Sequence, residues 1–129
     1  MARENVEVAL RGITAYDNDE DAWLETLNPE VEWTPFEEGT LSYGRESAKR
    51  VRQRWLDAWV DHHFDVVEVL DNGDHVVVAI RMRATGRRSG VAVEFPQLYV
   101  HVRVRGGRVV YIFEHQDRAE ALEAAGLSE

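Results

Sequence analysis

A stretch of valines and aromatics, "RVVYIF" at 108–113, runs directly into four polar residues, Glu114, His115, Gln116 and Asp117. Such a run marks either the point where a sheet ends in solvent or the lip of a site. Asp117, with Glu120 three positions on, has the spacing of a capping box and starts the helix "RAEALEAAG", which Gly126 ends. Glu114 has no such duty: it faces a pocket, or it sits at a pocket mouth, solvated or paired with an arginine. A second group with chemical potential is His62-His63. Adjacent side chains diverge and no carboxylate-rich motif accompanies them, so no metal site is expected. They finish a helix instead, where partial positive charge suits the dipole. The basic run "RESAKRVRQRW" invites a phosphate or nucleic-acid reading, but its charges fall opposite Val51, Trp55 and Trp59. That pattern is a solvated helix face.

A small domain must position these groups. The 129 residues fit a single domain, 1–129, able to bury roughly two-thirds of its unfolded surface. Hydrophobic residues make up 44%, ordinary for a globular chain. No apolar run approaches a membrane span, and "MARENVEV" has charges where a signal peptide needs its apolar segment. The chain has no cysteine, which excludes disulfides, thiolate zinc and thiol nucleophiles. A net charge of −9 argues against nucleic acid or anionic membrane as main partner. A soluble cytoplasmic domain is the expectation.

Helices come first and strands afterwards. Val6, Ala9, Leu10, Ile13 and Tyr16 recur at helical spacing between Glu4 and about Asp17. "DNDEDAWLETL" begins a second helix, stopped by Asn28-Pro29. "VEWTP" reads as a short strand, "FEEGTLSYG" as a loop, and Arg45 to Val60 as a third helix with an apolar stripe. Strands follow near 64–70, 75–85, 91–104 and 108–115, with turns at Asn72-Gly73, Gly86 to Gly90 and Gly106-Gly107. Alternation turns Leu98, Val100, Val102 and Val104 inward, as it does Val76, Val78, Ile80 and Met82. The last strand is ambiguous, because the set Val110, Ile112, Glu114, Gln116 and the set Val109, Tyr111, Phe113, His115 are both largely apolar.

The order of elements, with "ITAYDNDEDAWLETLNPEVEW", "LSYGRESAKR" and "GGRVVYIFEHQDRAEALEAAGL", resembles the SnoaL-like branch of the nuclear transport factor 2-like superfamily over nearly the whole chain. The resemblance implies an α+β fold of the cystatin-like kind. In it a curved mixed or antiparallel sheet forms a cone, and N-terminal helices close a pocket on the concave side. It also implies dimers through the convex side, and no metal or organic cofactor. SnoaL-like polyketide cyclases commonly have a His-x-Asp pair in the last strand. The Asp lies seven residues after the turn glycine and moves protons during aldol ring closure. Counted from Gly107, the Asp position is Glu114 and the His position is Ile112. The resemblance therefore turns Ile112, Glu114 and Gln116 toward the pocket, keeping the carboxylate and lacking the histidine. In ketosteroid isomerases of the superfamily the proton-handling positions match Gly12, Trp33 and Leu98 here. None of these can exchange the proton, which argues against steroid isomerisation.

The expected function is a pocket for a small apolar, cyclic or polyketide-like molecule, with Glu114 as the proton carrier of a cofactor-independent cyclase or isomerase. Trp33, Trp55 and Trp59 would wall it and favour the protonated carboxyl. Tyr16 and Tyr43 are candidate donors, and Leu98, Ile112 and Gln116 complete the lining. The alternative is a non-catalytic dimeric ligand-binding domain. Water addition to an epoxide ranks lowest, since it needs an Asp–Arg–Asp set inside the pocket while Arg81 and Arg83 alternate outward. The outward set Tyr99, His101, Tyr111, Phe113 and His115, rimmed by Arg81, Arg83 and Arg103, predicts a twofold homodimer through the convex face.

Overall fold

The computed structural model describes residues 2–36 and 39–127. Two helices open the chain, α1 (Ala2–Tyr16) and α2 (Glu20–Glu25), the second capped by Asp19, whose side chain accepts from Ala22 N at 3.1 Å. Helix α2 stops before the Asn28-Pro29 signal: the Thr26 hydroxyl donates to Trp23 O at 2.6 Å, and the Thr26 carbonyl accepts from Val109 N at 2.7 Å and so joins the sheet. Strand β1 (Leu27–Thr34) therefore starts four residues ahead of the expected "VEWTP" segment. The loop expected at 36–44 contains a short strand, β2 (Ser42–Tyr43), that pairs with β1. Residues 37 and 38 of that loop lie outside the described residues.

Helix α3 (Arg45–Ala58) gives way to a long strand, β3 (Trp59–Asn72). His62 and His63 thus belong to a strand and do not finish a helix. The local cause is Asp61, whose φ of 52° breaks the β3 ladder between Val60 and His63; aspartate tolerates this left-handed region better than most residues. The bulge sends His62 back across the chain, with Nδ1 2.9 Å from Asp17 Oδ1 and Nε2 2.8 Å from Trp59 O. Strand β4 (His75–Gly86) follows. The segment expected as one strand at 91–104 is two, β5 (Ala92–Glu94) and β6 (Leu98–Arg105), parted around Pro96, which has no N–H for a ladder. Gly106 and Gly107, both at positive φ, turn the chain into β7 (Arg108–His115), and α4 (Arg118–Ala124) ends it. Asp117 caps α4, accepting from Ala119 N at 2.8 Å.

These elements form an α+β fold with one curved, unclosed sheet in the order β2-β1-β7-β6-β4-β3, with β5 paired to β4. Only β1 and β7 run parallel among the described pairs. Directly opposed residues share a face, so the pairs Val76↔Val102, Val78↔Val100 and Ile80↔Leu98 place both inward sets on the same side. Val8, Ala9 and Ile13 of α1 pack over them. The last strand departs from simple alternation. Arg103 opposes Tyr111 and Val104 opposes Val109, so Val110 is an extra residue, a β-bulge. Below the bulge Val109 faces inward and is 3% exposed; above it Ile112 and Glu114 do. The set expected to include Val110 is thereby corrected, since the inward residue there is Val109. Among the described residues no helix is long and apolar enough to cross a membrane.

The convex face is less open than alternation suggested. Ala121, Leu122 and Ala125 of α4 pack on Val77, Leu70 and Tyr99, and Asn72 Nδ2 ties α4 down through Ala125 O at 3.0 Å. His101 is only 3% exposed, with Nε2 2.8 Å from His75 Nδ1 and the Tyr111 ring 5.4 Å away edge-on. Burial, with His75, His115 and Arg103 nearby, lowers its pKa to about 4. Burial also lowers that of His115. Unfolded histidine takes up a proton near pH 6.5, where native His101 stays neutral. Stability should therefore be complete above about pH 6.5 and fall as pH drops toward 4, by at most about 3 kcal/mol from His101. Thermal unfolding followed from about pH 7.5 to about pH 5 should show the decline, and His101→Leu should flatten it.

Candidate functional site

The concave face of the sheet and the helices above it enclose a cavity of about 490 Å³, the size of a small-molecule site. Helix α1 closes it with Gly12 and Tyr16, among others. Gly12 lets α1 approach the end of α2, because a Cβ there would lie 3.0 Å from Thr26 Oγ1. Most of the wall is aromatic or aliphatic. Tyr16 meets Trp33 edge-on at 5.9 Å and stacks on Phe64 at 5.9 Å, and Trp55 meets Phe64 at 6.0 Å.

Glu114 projects into this apolar space from β7, opposite Val100. Its Oε2 accepts from Trp33 Nε1 at 2.8 Å and its Oε1 from Phe36 N at 2.9 Å. Backbone geometry explains both contacts. The parallel pairing sets Trp33 beside Ile112, two residues before Glu114 on the same face. Past Thr34 the chain leaves the ladder, so the N–H of Phe36 is available to a side chain. Both donors are nitrogen-bound hydrogens, so the carboxylate is held in one orientation against a largely apolar wall.

Of the residues expected at the site, Tyr16, Trp33, Trp55, Leu98, Ile112 and Glu114 line the cavity. Three others do not. Tyr43 is 59% exposed on β2 at the sheet's edge, where its hydroxyl donates to Glu30 at 3.1 Å. That bond and the charge of Glu30 raise its pKa. Trp59 stands where the helix has already become extended, so the helical stripe no longer applies, and it packs behind the wall on Phe95 and Trp55 at 5.0 and 5.9 Å. Gln116 follows the end of β7, is exposed, and borders a separate cleft near Phe36 and Asp117. Sequence reasoning missed Trp23, Phe64 and Met82 as lining, although each lies on an apolar stripe that could have suggested it. The Phe36 N–H left no trace in residue type.

The basic run on α3 is likewise not all solvated. Arg52 is 6% exposed, donates from Nε to Tyr16 O at 2.7 Å, and lies 5.8 Å from the Tyr16 and Trp23 ring centres. Arg45 Nε donates to Leu27 O at 2.9 Å. Among the described residues no cluster of three or more His, Cys, Asp or Glu forms a metal site.

The profile of the SnoaL-like domain family matches residues 9–112. Solved structures with the same fold include a candidate SnoaL-like polyketide cyclase from Jannaschia sp. CCS1, 21% identical, covering 100% of this chain and 96% of that one at a TM-score of 0.81. A candidate polyketide cyclase from Xanthomonas campestris is 18% identical, covering 92% and 94% at 0.80. AclR from Streptomyces galilaeus, described as a candidate hydroxylase, is 18% identical, covering 98% and 98% at 0.76. No protein of curated function matches significantly. At these identities the structures share the fold with this chain.

Trp33→Phe retains most of the ring and removes the indole donor. Hydrogen bonds to charged groups contribute about 1.5–3 kcal/mol, so urea unfolding should show a loss of about 2 kcal/mol. In a Glu114→Leu background the same change should cost much less, since the bond is then absent.

Proposed function

The chain belongs to the SnoaL-like family, and we propose that its cavity binds a small apolar, cyclic or polyketide-like molecule on which Glu114 moves a proton, as a cofactor-independent cyclase or isomerase. One observation supports this above the others. Glu114 is a carboxylate held at both oxygens inside an otherwise largely apolar wall. A general base needs a fixed direction and a place for the substrate beside it, and both are present. Neighbours of the same fold described as polyketide cyclases fit this class of ligand. A second reading, a non-catalytic ligand-binding domain, is favoured by Ile112, an apolar residue standing where SnoaL-like polyketide cyclases commonly have histidine.

Deuterium exchange at the α-carbon of cyclic ketones, 2-tetralone among them, separates the two readings without knowledge of the natural substrate. The protein should accelerate exchange in D₂O above the buffer rate, and Glu114→Gln should reduce that acceleration by about 100-fold. Exchange no faster than buffer across the series would leave only the binding reading.

We further propose that a second copy packs on the convex face beside α4, where Tyr111, Phe113 and His115 remain half-buried. With Val77 and Tyr99 occupied by α4, the contact is smaller than strand alternation alone suggested, on the order of 1,200 Å² in total. Sedimentation at micromolar concentration should show a dimer that Phe113→Glu dissociates. A monomeric wild type would refute it.

A further inference from the structure

Glu114 and Arg54 are the charged groups among the described residues lining the cavity. Arg54 is exposed as a residue and still reaches the lining, which puts it at the opening. Helix geometry gives the reason. Val51 and Trp55 point into the cavity, and with 100° per residue position 54 flanks their stripe on one side as position 52 does on the other. Arg52 turns to Tyr16 and Glu20 on α1 and α2; Arg54 is left to the cavity's side.

We infer that Arg54 is the anion-recognising, specificity-determining residue of this site, and that its ligands are flat apolar ring systems bearing an acidic or enolisable oxygen. The inference deepens the proposed function and rests on it. Consider the proton transfer to Glu114. A substrate C–H bond breaks and an O–H bond forms on the carboxylate. The electron pair left on carbon moves onto the adjacent carbonyl oxygen, giving an enolate. Negative charge has then passed from Glu114 to the substrate, in a space whose walls are otherwise hydrocarbon, indole and a few neutral polar groups. An enolate there needs a positive donor within the same volume. Arg54 is the lining cation, and a guanidinium presents several N–H groups in one plane to an oxyanion. Before and after transfer the sum of charge over Glu114, substrate and Arg54 is unchanged, so the reaction moves charge inside a balanced set. Arg54 also takes part in a further interaction within the chain, so an arriving anion adds to that contact or displaces it. This holds the expected gain to about one order of magnitude.

The test uses two probes of one shape, 2-naphthoate and its neutral analogue 2-acetylnaphthalene, with binding read from quenching of tryptophan fluorescence. In the Glu114→Gln background, which stands for the carboxyl once it has taken the proton, the protein should bind the anion more tightly than the ketone. Arg54→Met keeps the apolar stem and removes the charge. It should weaken 2-naphthoate about 10-fold, in line with a charge-assisted hydrogen bond, and change 2-acetylnaphthalene by less than about twofold. Arg54→Lys should recover part of the loss. Equal binding of 2-naphthoate by wild type and Arg54→Met would overturn the inference while the pocket reading stands. Binding of neither probe by wild type would overturn the pocket reading, and the role of Arg54 with it.

Discussion

A carboxylate in an apolar wall loses the water that stabilised it, a cost of several kcal/mol unless donors replace that water. In this protein two of the replacing donors come through the parallel contact of β1 with β7. It brings the indole N–H of Trp33 to one oxygen of Glu114 and the backbone N–H of Phe36 to the other. Every other β pairing described in the sheet is antiparallel, and could be closed by local turns. The β1–β7 contact joins the start of the chain to its end across α3 and five strands. Its register is therefore what assembles the site.

Two irregularities make that register productive. The bulge at Val110 shifts the last strand by one residue, so Val109 below it and Ile112 with Glu114 above it all face inward. Without the shift one half of the strand would turn its apolar residues to the wrong side. The ladder break at Asp61 does the corresponding work on the opposite edge. It folds His62 back onto Asp17 and Trp59, under the Trp55 ring at 5.3 Å. The first helix, the long edge strand and one wall of the cavity are thereby joined.

Alternating valines made the faces of β4 and β6 legible in the sequence, while the curved sheet and Glu114 were reached through the resemblance to SnoaL-like cyclases, whose acid lies seven residues after the turn glycine. What was not legible involved departures from period. Asp61 carries no residue signal strong enough to forecast a left-handed break inside a strand, so His62-His63 read as a helix end. The Val110 bulge is invisible where both faces of a strand are apolar. Trp59 and Gln116 were extrapolated past the end of the element that would have aimed them inward, and Tyr43, expected in a loop, lies on the short edge strand β2. Arg52 and Arg54 looked solvated because a helical wheel assigns angles and says nothing about how far an arginine reaches.

The two faces of the sheet keep polar groups in apolar surroundings by opposite means. Inside, a carboxylate accepts two N–H donors. Outside, His101 and His75 share one hydrogen bond, which requires one ring to donate and the other to accept. Protonating the acceptor destroys that bond. Among the described residues His101 Nδ1 and His115 Nε2 are buried with no hydrogen-bond partner, so a proton gained there meets no acceptor. The convex face therefore tolerates acid poorly. Native structure lost in mild acid would report the outer histidines loosening the sheet that carries the cavity.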